Sequence, residues 1–170
     1  MSAAGRSANH RGRRAARLAA VQAVYEMDIG GASAEAVLGE FLAKRWTDAH
    51  GGGELPAPDG DFLARLVRGV AERRSELDAA IESALTGTWT VDRLEVLLRA
   101  ILRAGAYELV AVPEVPTNAA ISEYVDVAHA FFPGREPGLV NAVLDRLAQT
   151  LRADGDGDAA DPDGGRPPRE

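Results

Sequence analysis

The chain has 170 residues, 46% of them apolar and 26% charged, with a net charge of −7. That is enough apolar sequence to build one buried core without covalent staples. The absence of cysteine excludes disulfides and thiolate-held metals, and no stretch reaches the ~20 apolar residues that span a bilayer. The arginines near the N-terminus are not followed by an apolar run, so a secretory signal is not expected there and a cytoplasmic protein is.

Residues 1–9 are small and polar without periodicity, and read as a disordered arm. From about His10 to Asp28 a helical spacing sets in, with Leu18, Val21, Val24 and Tyr25 three and four residues apart, and Gly30-Gly31 stops it. Ser33 can cap a second helix running to about Asp48, with Val37, Leu38, Phe41, Leu42 and Trp46 inward. The glycines and prolines of 49–60 predict a loop. A long third helix is expected from about Asp61 to Leu85, on the stripe Leu63, Leu66, Val67, Val70, Leu77, Ile81 and Leu85.

Thr90 is the predicted cap of a fourth helix carrying Leu94, Leu97, Leu98, Ile101, Leu102 and Leu109, closed by Pro113. A fifth opens at Pro116-Thr117, with Ile121, Val125 and Phe131 inward, and stops at Phe132-Pro133-Gly134. The sixth starts near Pro137 and runs through Leu139, Val140, Val143, Leu144, Leu147 and Leu151. No segment alternates with the period of a strand. The fold class is therefore all-α, a compact bundle of six or seven helices spanning 10–152. The low-complexity segment 153–170 is expected to be a disordered acidic tail.

The net charge hides two opposite ends. Met1 to Tyr25 holds Arg6, Arg11, Arg13, Arg14 and Arg17 and no carboxylate, whereas Asp154 to Glu170 holds six acidic residues and two arginines. On a helix, Arg13, Arg14 and Arg17 share an arc of about 100°. Burying them without partners would be prohibitive, so the first turns are expected to project beyond the body as a basic prong. Such guanidinium groups suit phosphates and unstacked bases; a solvated, frayed terminus is the plain alternative.

Other chemistry is thin. Asp154, Asp156 and Asp158 begin like a calcium loop, but Ala159 and Gly165 stand where glycine and glutamate are needed. His10, His50 and His129 have no paired ligand spacing, and no nucleophile, phosphate loop or dinucleotide fingerprint occurs. Neither a cofactor nor catalysis is expected. Glu108 and Glu123 are candidates for carboxylates paired with arginine, Arg99 and Arg103 for ion pairs tying helices together, and Gly69 and Gly105 for close helix–helix approach.

Four stretches match one family in order and spacing: RRAARLAAVQAVY at 13–25, LRAILRAGAYEL at 98–109, VPTNAAISEYVDVAHAF at 115–131 and GLVNAVLDRL at 138–147. Together they resemble the NusB family of transcription antitermination factors. The resemblance implies two packed helical subdomains, binding to single-stranded boxA RNA jointly with the ribosomal protein NusE, and entry into an RNA polymerase antitermination complex that acts in ribosomal RNA transcription. It places Arg11, Arg13, Arg14 and Arg17 on the RNA-binding surface, with Tyr25 either flanking it or packed in the core. Asn141 falls in the sixth-helix motif. Gly138 and Leu139 stand where the family often has a basic residue and phenylalanine, so a stacking aromatic is missing there, and Arg135 is the cation available nearby. A homodimer that masks the RNA surface is left open. Two further readings stay beside this one: the RNA-targeting domain of a ribosomal RNA cytosine methyltransferase, and a helical protein-interaction scaffold that binds no RNA.

Overall fold

The structure, a computed structural model, describes residues 3–45 and 57–157. Among them are seven α-helices and no strand: α1 (Ala3–Gly30), α2 (Ala34–Glu40), α3 (Gly60–Glu72), α4 (Arg74–Ala84), α5 (Val96–Ala111), α6 (Thr117–Phe131) and α7 (Glu136–Gly157). A π-helical turn, Phe41–Arg45, extends α2, and a short 3-10 turn, Val91–Arg93, precedes α5.

The centre of the bundle is α5, which packs against α1, α3, α4, α6 and α7. Its sequence explains the position: Ala100, Ala104, Ala106 and Gly105 are small enough to be approached from several sides while Leu98, Ile101 and Leu102 fill the space between. The α1–α2–α3 group lies on one side and the α6–α7 pair on the other, and one continuous core joins both. Two glycines set the spacing. A Cβ on Gly69 of α3 would overlap the ring of Tyr107, and one on Gly105 would come within 2.8 Å of Leu144 Cδ1. Close approach is thus the reason both glycines sit inside helices, as their placement in the sequence suggests.

Helix ends follow local chemistry. Gly31, at φ +67°, stops α1 while its N–H donates to the Met27 carbonyl at 3.0 Å. Ser33 Oγ accepts from Ala36 N at 3.2 Å, and Asp59 Oδ1 accepts from Phe62 N at 3.0 Å. The Asp59 N–H also donates to the Gly12 carbonyl at 2.9 Å, pinning the approach to α3 onto α1.

Several boundaries differ from the sequence reading. Helix α1 begins at Ala3, ahead of the onset at His10, because alanine and arginine extend a helix without needing an apolar face. The single helix over 61–85 is two, broken at Arg73 (φ −108°, ψ 19°). Its apolar stripe has a gap there: the position one turn after Val70 is Arg74, so the chain turns before Leu77 and Ile81 resume the core face. Thr90 makes no side-chain cap; Glu95 caps α5 by accepting from Leu98 N at 3.3 Å, and Leu94 is buried in the link between. Phe131, expected inward, is 40% exposed, and Tyr124 and Ala128 hold the inner face of α6. Helix α7 continues to Gly157, past the expected start of the tail. The expectations for Trp46, most of the 49–60 loop, the end of the tail and the full calcium-like sequence fall outside the described residues.

Candidate nucleic-acid interface

The arginines of α1 do not share one environment. Arg17 is 3% exposed, lying between α5 and α6. Its Nε donates to Glu108 Oε2 at 2.9 Å and its Nη2 to Glu108 Oε1 at 2.5 Å. Tyr124, fully buried on α6, donates its hydroxyl to Glu108 Oε2 at 2.7 Å. Glu108 is itself 1% exposed, so three polar groups from three helices satisfy one another inside the core. Burial works to lower the Arg17 pKa, but the hydrogen bond and charge of Glu108 outweigh it, and the guanidinium stays above its ordinary value. Burial, followed by the Glu108 charge, pushes the Tyr124 phenol well above its usual range. Arg17 is therefore no part of a projecting prong. The argument that a buried arginine is prohibitive holds only without a partner, and Glu108, 91 residues away, is that partner.

The other arginines stay at the surface. Arg14 is 58% exposed at its side chain; its Nη2 donates to Asp126 at 3.3 Å and its Nε lies 3.7 Å from Glu123. The Asp126 contact is exposed, where ion pairs exchange readily with water or another anion, whereas the Glu123 side chain is only 13% exposed. Arg11 is exposed and makes no ion pair or hydrogen bond among the described residues. Arg13 is half-buried, its guanidinium 4.7 Å from the centre of the Phe62 ring and its Nε without a hydrogen-bond partner. A cleft of about 230 Å³ opens beside it, lined by Arg6, Asn9, His10, Arg13 and Arg17 from α1, by Glu114, Val115 and Pro116 ahead of α6, and by Ala119 and Glu123 of α6, so that two carboxylates face it as well as the guanidinium groups. His10 lies 3.6 Å from Glu123 and is largely exposed. Tyr25 is half-buried and packs on the core cluster.

A second arginine-centred cluster braces the far end of α1. Arg103 Nε donates to Asp78 Oδ1 at 2.7 Å and Nη1 to Asp28 Oδ2 at 2.5 Å, joining α5 to α4 and α1. This is the helix-tying network expected on α5, although Arg99 is outside it. Arg135 lies elsewhere, between α6 and α7, exposed and without an ion pair among the described residues. It lines a groove of about 520 Å³ together with Trp89, Arg93, Phe132 and Leu139. Sequence reasoning passed over Trp89, Arg93 and Phe132; an indole in the polar stretch Thr88-Trp89-Thr90, just after a glycine, was the available signal. Asn141 is exposed on α7. Among the described residues no group of His, Asp or Glu side chains could hold a metal ion, and no helix is long and apolar enough to cross a membrane.

The NusB family profile matches residues 14–149. The chain belongs to the NusB family. The transcription antitermination protein NusB of Bradyrhizobium sp. (strain BTAi1) is 49% identical over 151 residues, 88% of this chain and 87% of that protein. Among solved structures, T. maritima NusB is 26% identical with a TM-score of 0.67, over 81% of this chain and 90% of that one. NusB in a complex of antitermination factors NusB and NusE with dsRNA superposes with a TM-score of 0.68 at 23% identity, over 82% of this chain and 98% of that one, a likeness of fold.

Proposed function

We propose that this NusB-family chain binds boxA RNA through the first turns of α1, jointly with the ribosomal protein NusE, and acts by binding, without catalysis, in a cytoplasmic RNA polymerase antitermination complex. The observation that carries the reading is the accessible cationic surface of α1: Arg11 exposed without an ion pair among the described residues, Arg14 58% exposed beside Asp126 and Glu123, and Arg13 held on Phe62 beside a cleft. Phosphate oxygens reaching that cleft would meet guanidinium donors that keep their charge. The N-terminal turns carry no acidic residue of their own, and the carboxylates an anion would have to displace are Glu123 and Asp126 of α6.

Arg17 takes a different part. Fixed to Glu108, it holds the stretch bearing Arg13 and Arg14 at a set height above α5 and α6. A preorganised backbone lowers the ordering cost of binding. Tyr25 contributes packing, and Arg135 belongs to a second patch at the opposite end of α6. The named relatives are antitermination proteins and one superposable complex contains NusE and RNA, which favours this reading over the methyltransferase and scaffold alternatives.

The test is a fluorescence-anisotropy titration of boxA RNA and a scrambled RNA of equal length, with and without NusE. Tighter binding of boxA than of the scrambled RNA, strengthened by NusE, is the expected outcome. Equal or absent binding of both RNAs in the presence of NusE rejects the reading.

A further inference from the structure

We propose that Glu123 is the specificity-determining residue of the cleft beside α1, where its carboxylate accepts a hydrogen bond from the exocyclic amino group of one unstacked base. The proposal rests on the RNA-binding reading and names what that site selects.

A carboxylate on a surface that meets phosphates is unfavourable unless it has a task of its own. Glu123 stands midway along α6 and lines the cleft. The His10 imidazole lies against it, Nε2 3.6 Å from Oε1, and the guanidinium groups of Arg14 and Arg17 lie 3.7 and 3.9 Å from Oε2. These neighbours hold the carboxylate by charge, yet it accepts no hydrogen bond among the described residues. Its side chain is 13% exposed, and neither oxygen is sealed from water. An acceptor fixed in place with its hydrogen bonds unspent is prepared for a donor that arrives with a ligand.

The other carboxylates nearby are placed differently. Glu114 is bound to Arg65 through Oε1 at 2.5 Å. Asp126 is 49% exposed and touches only Arg14 among the described residues, so it is the one that yields Arg14 to a phosphate. Glu123 stays, because three groups hold it and one of them, Arg17, is locked in the core. Like charge keeps a phosphate out of the position Glu123 fills, whereas an amino group finds a charged acceptor there. Carboxylate side chains recognise the amino group of cytosine in this way, and single-stranded RNA presents such edges once its bases are splayed out. The rest of the cleft suits a base. Val115, Pro116 and Ala119 supply an apolar wall, and the Arg13 guanidinium, backed by Phe62, is a plane on which a ring can stack. Phosphate contacts by Arg11 and Arg14 thus supply affinity, and Glu123 supplies the choice of base.

The experiment uses the full chain with NusE. Affinities are measured for boxA RNA, for a scrambled RNA, and for boxA RNAs that each lack one amino group, with inosine for guanosine, purine riboside for adenosine or zebularine for cytidine. The parent chain is compared with Glu123→Gln and Glu123→Ala, each checked by thermal melting; the glutamine variant keeps the test decisive if the alanine variant melts early. One amino deletion should weaken the parent roughly 10- to 100-fold. The same deletion should cost Glu123→Ala nothing and Glu123→Gln less than the parent, because the penalty exists only while the carboxylate accepts. Both variants should bind scrambled RNA at least as tightly as the parent, since a negative charge has gone. If no amino deletion weakens the parent, or each costs the variants as much, or the variants lose boxA and scrambled RNA by the same factor, Glu123 only holds the cations and the proposal is overturned while the α1 reading stands. If the parent with NusE binds boxA no better than scrambled RNA, the α1 reading fails and this proposal with it.

Discussion

Arg17 and Arg14 lie about one turn apart on the same helix and do opposite work. Arg17 is sealed against Glu108 and Tyr124, whereas Arg14 is 58% exposed and meets Asp126 at the water boundary. A guanidinium becomes architecture when a carboxylate on another helix meets it inside the core, and remains available to ligands when its partners are exposed. The contrast divides α1 into an anchoring segment from Ala15 inward and a presenting segment before it.

The strongest way to break that contrast is to remove the anchor. Glu108→Ala leaves Arg17 buried without its hydrogen-bonded carboxylate, with only Glu123 at 3.9 Å to balance it, and should cost about 3–5 kcal/mol, read as a lower denaturant midpoint at unchanged m-value. Tyr124→Phe removes one hydrogen bond to the same carboxylate and should cost about 1.5–3 kcal/mol at neutral pH. It also carries a pH signature. Because the folded-state phenol titrates above its unfolded value, its contribution is fully present below about pH 10 and is lost as pH rises further. Stability measured from pH 8 to 11 should therefore fall less steeply at the alkaline end in Tyr124→Phe than in the parent chain. Gly69→Ala tests the packing that places α3 under Tyr107, and the forced shift of that ring should cost about 1–3 kcal/mol in thermal unfolding. Arg14→Ala is the smallest. Its guanidinium is 58% exposed and its contacts are 3.3 and 3.7 Å long, so less than about 1 kcal/mol should be lost, and melts should barely move.

The helices and their inner faces were legible because burial leaves a period: the residues expected inward on α3, α5 and α7 are largely those in the core. Capping was legible at Ser33, where a side-chain oxygen needs only its near neighbours. It was not legible at Thr90, because the 3-10 turn and buried Leu94 move the helix start to Glu95. The site divided in the same way. Arg11 and Arg14 could be placed at the surface from charge alone, but Arg17 required knowing that α5 brings Glu108 beneath it. Glu108 had the right character in the sequence and no address. Trp89 was hidden for the converse reason, since exposure of an aromatic in a loop is decided by what fails to pack on it.

The most direct test of the division along α1 is the salt dependence of boxA RNA binding, with NusE present, in Arg11→Ala/Arg14→Ala against the parent chain. Loss of two phosphate contacts should make the slope of log K against log salt shallower by about 1.4 for a single strand, with the unfolding midpoint held within about 1 kcal/mol. An unchanged slope in a fully folded double variant would contradict the account, because the presenting segment would then present nothing to RNA.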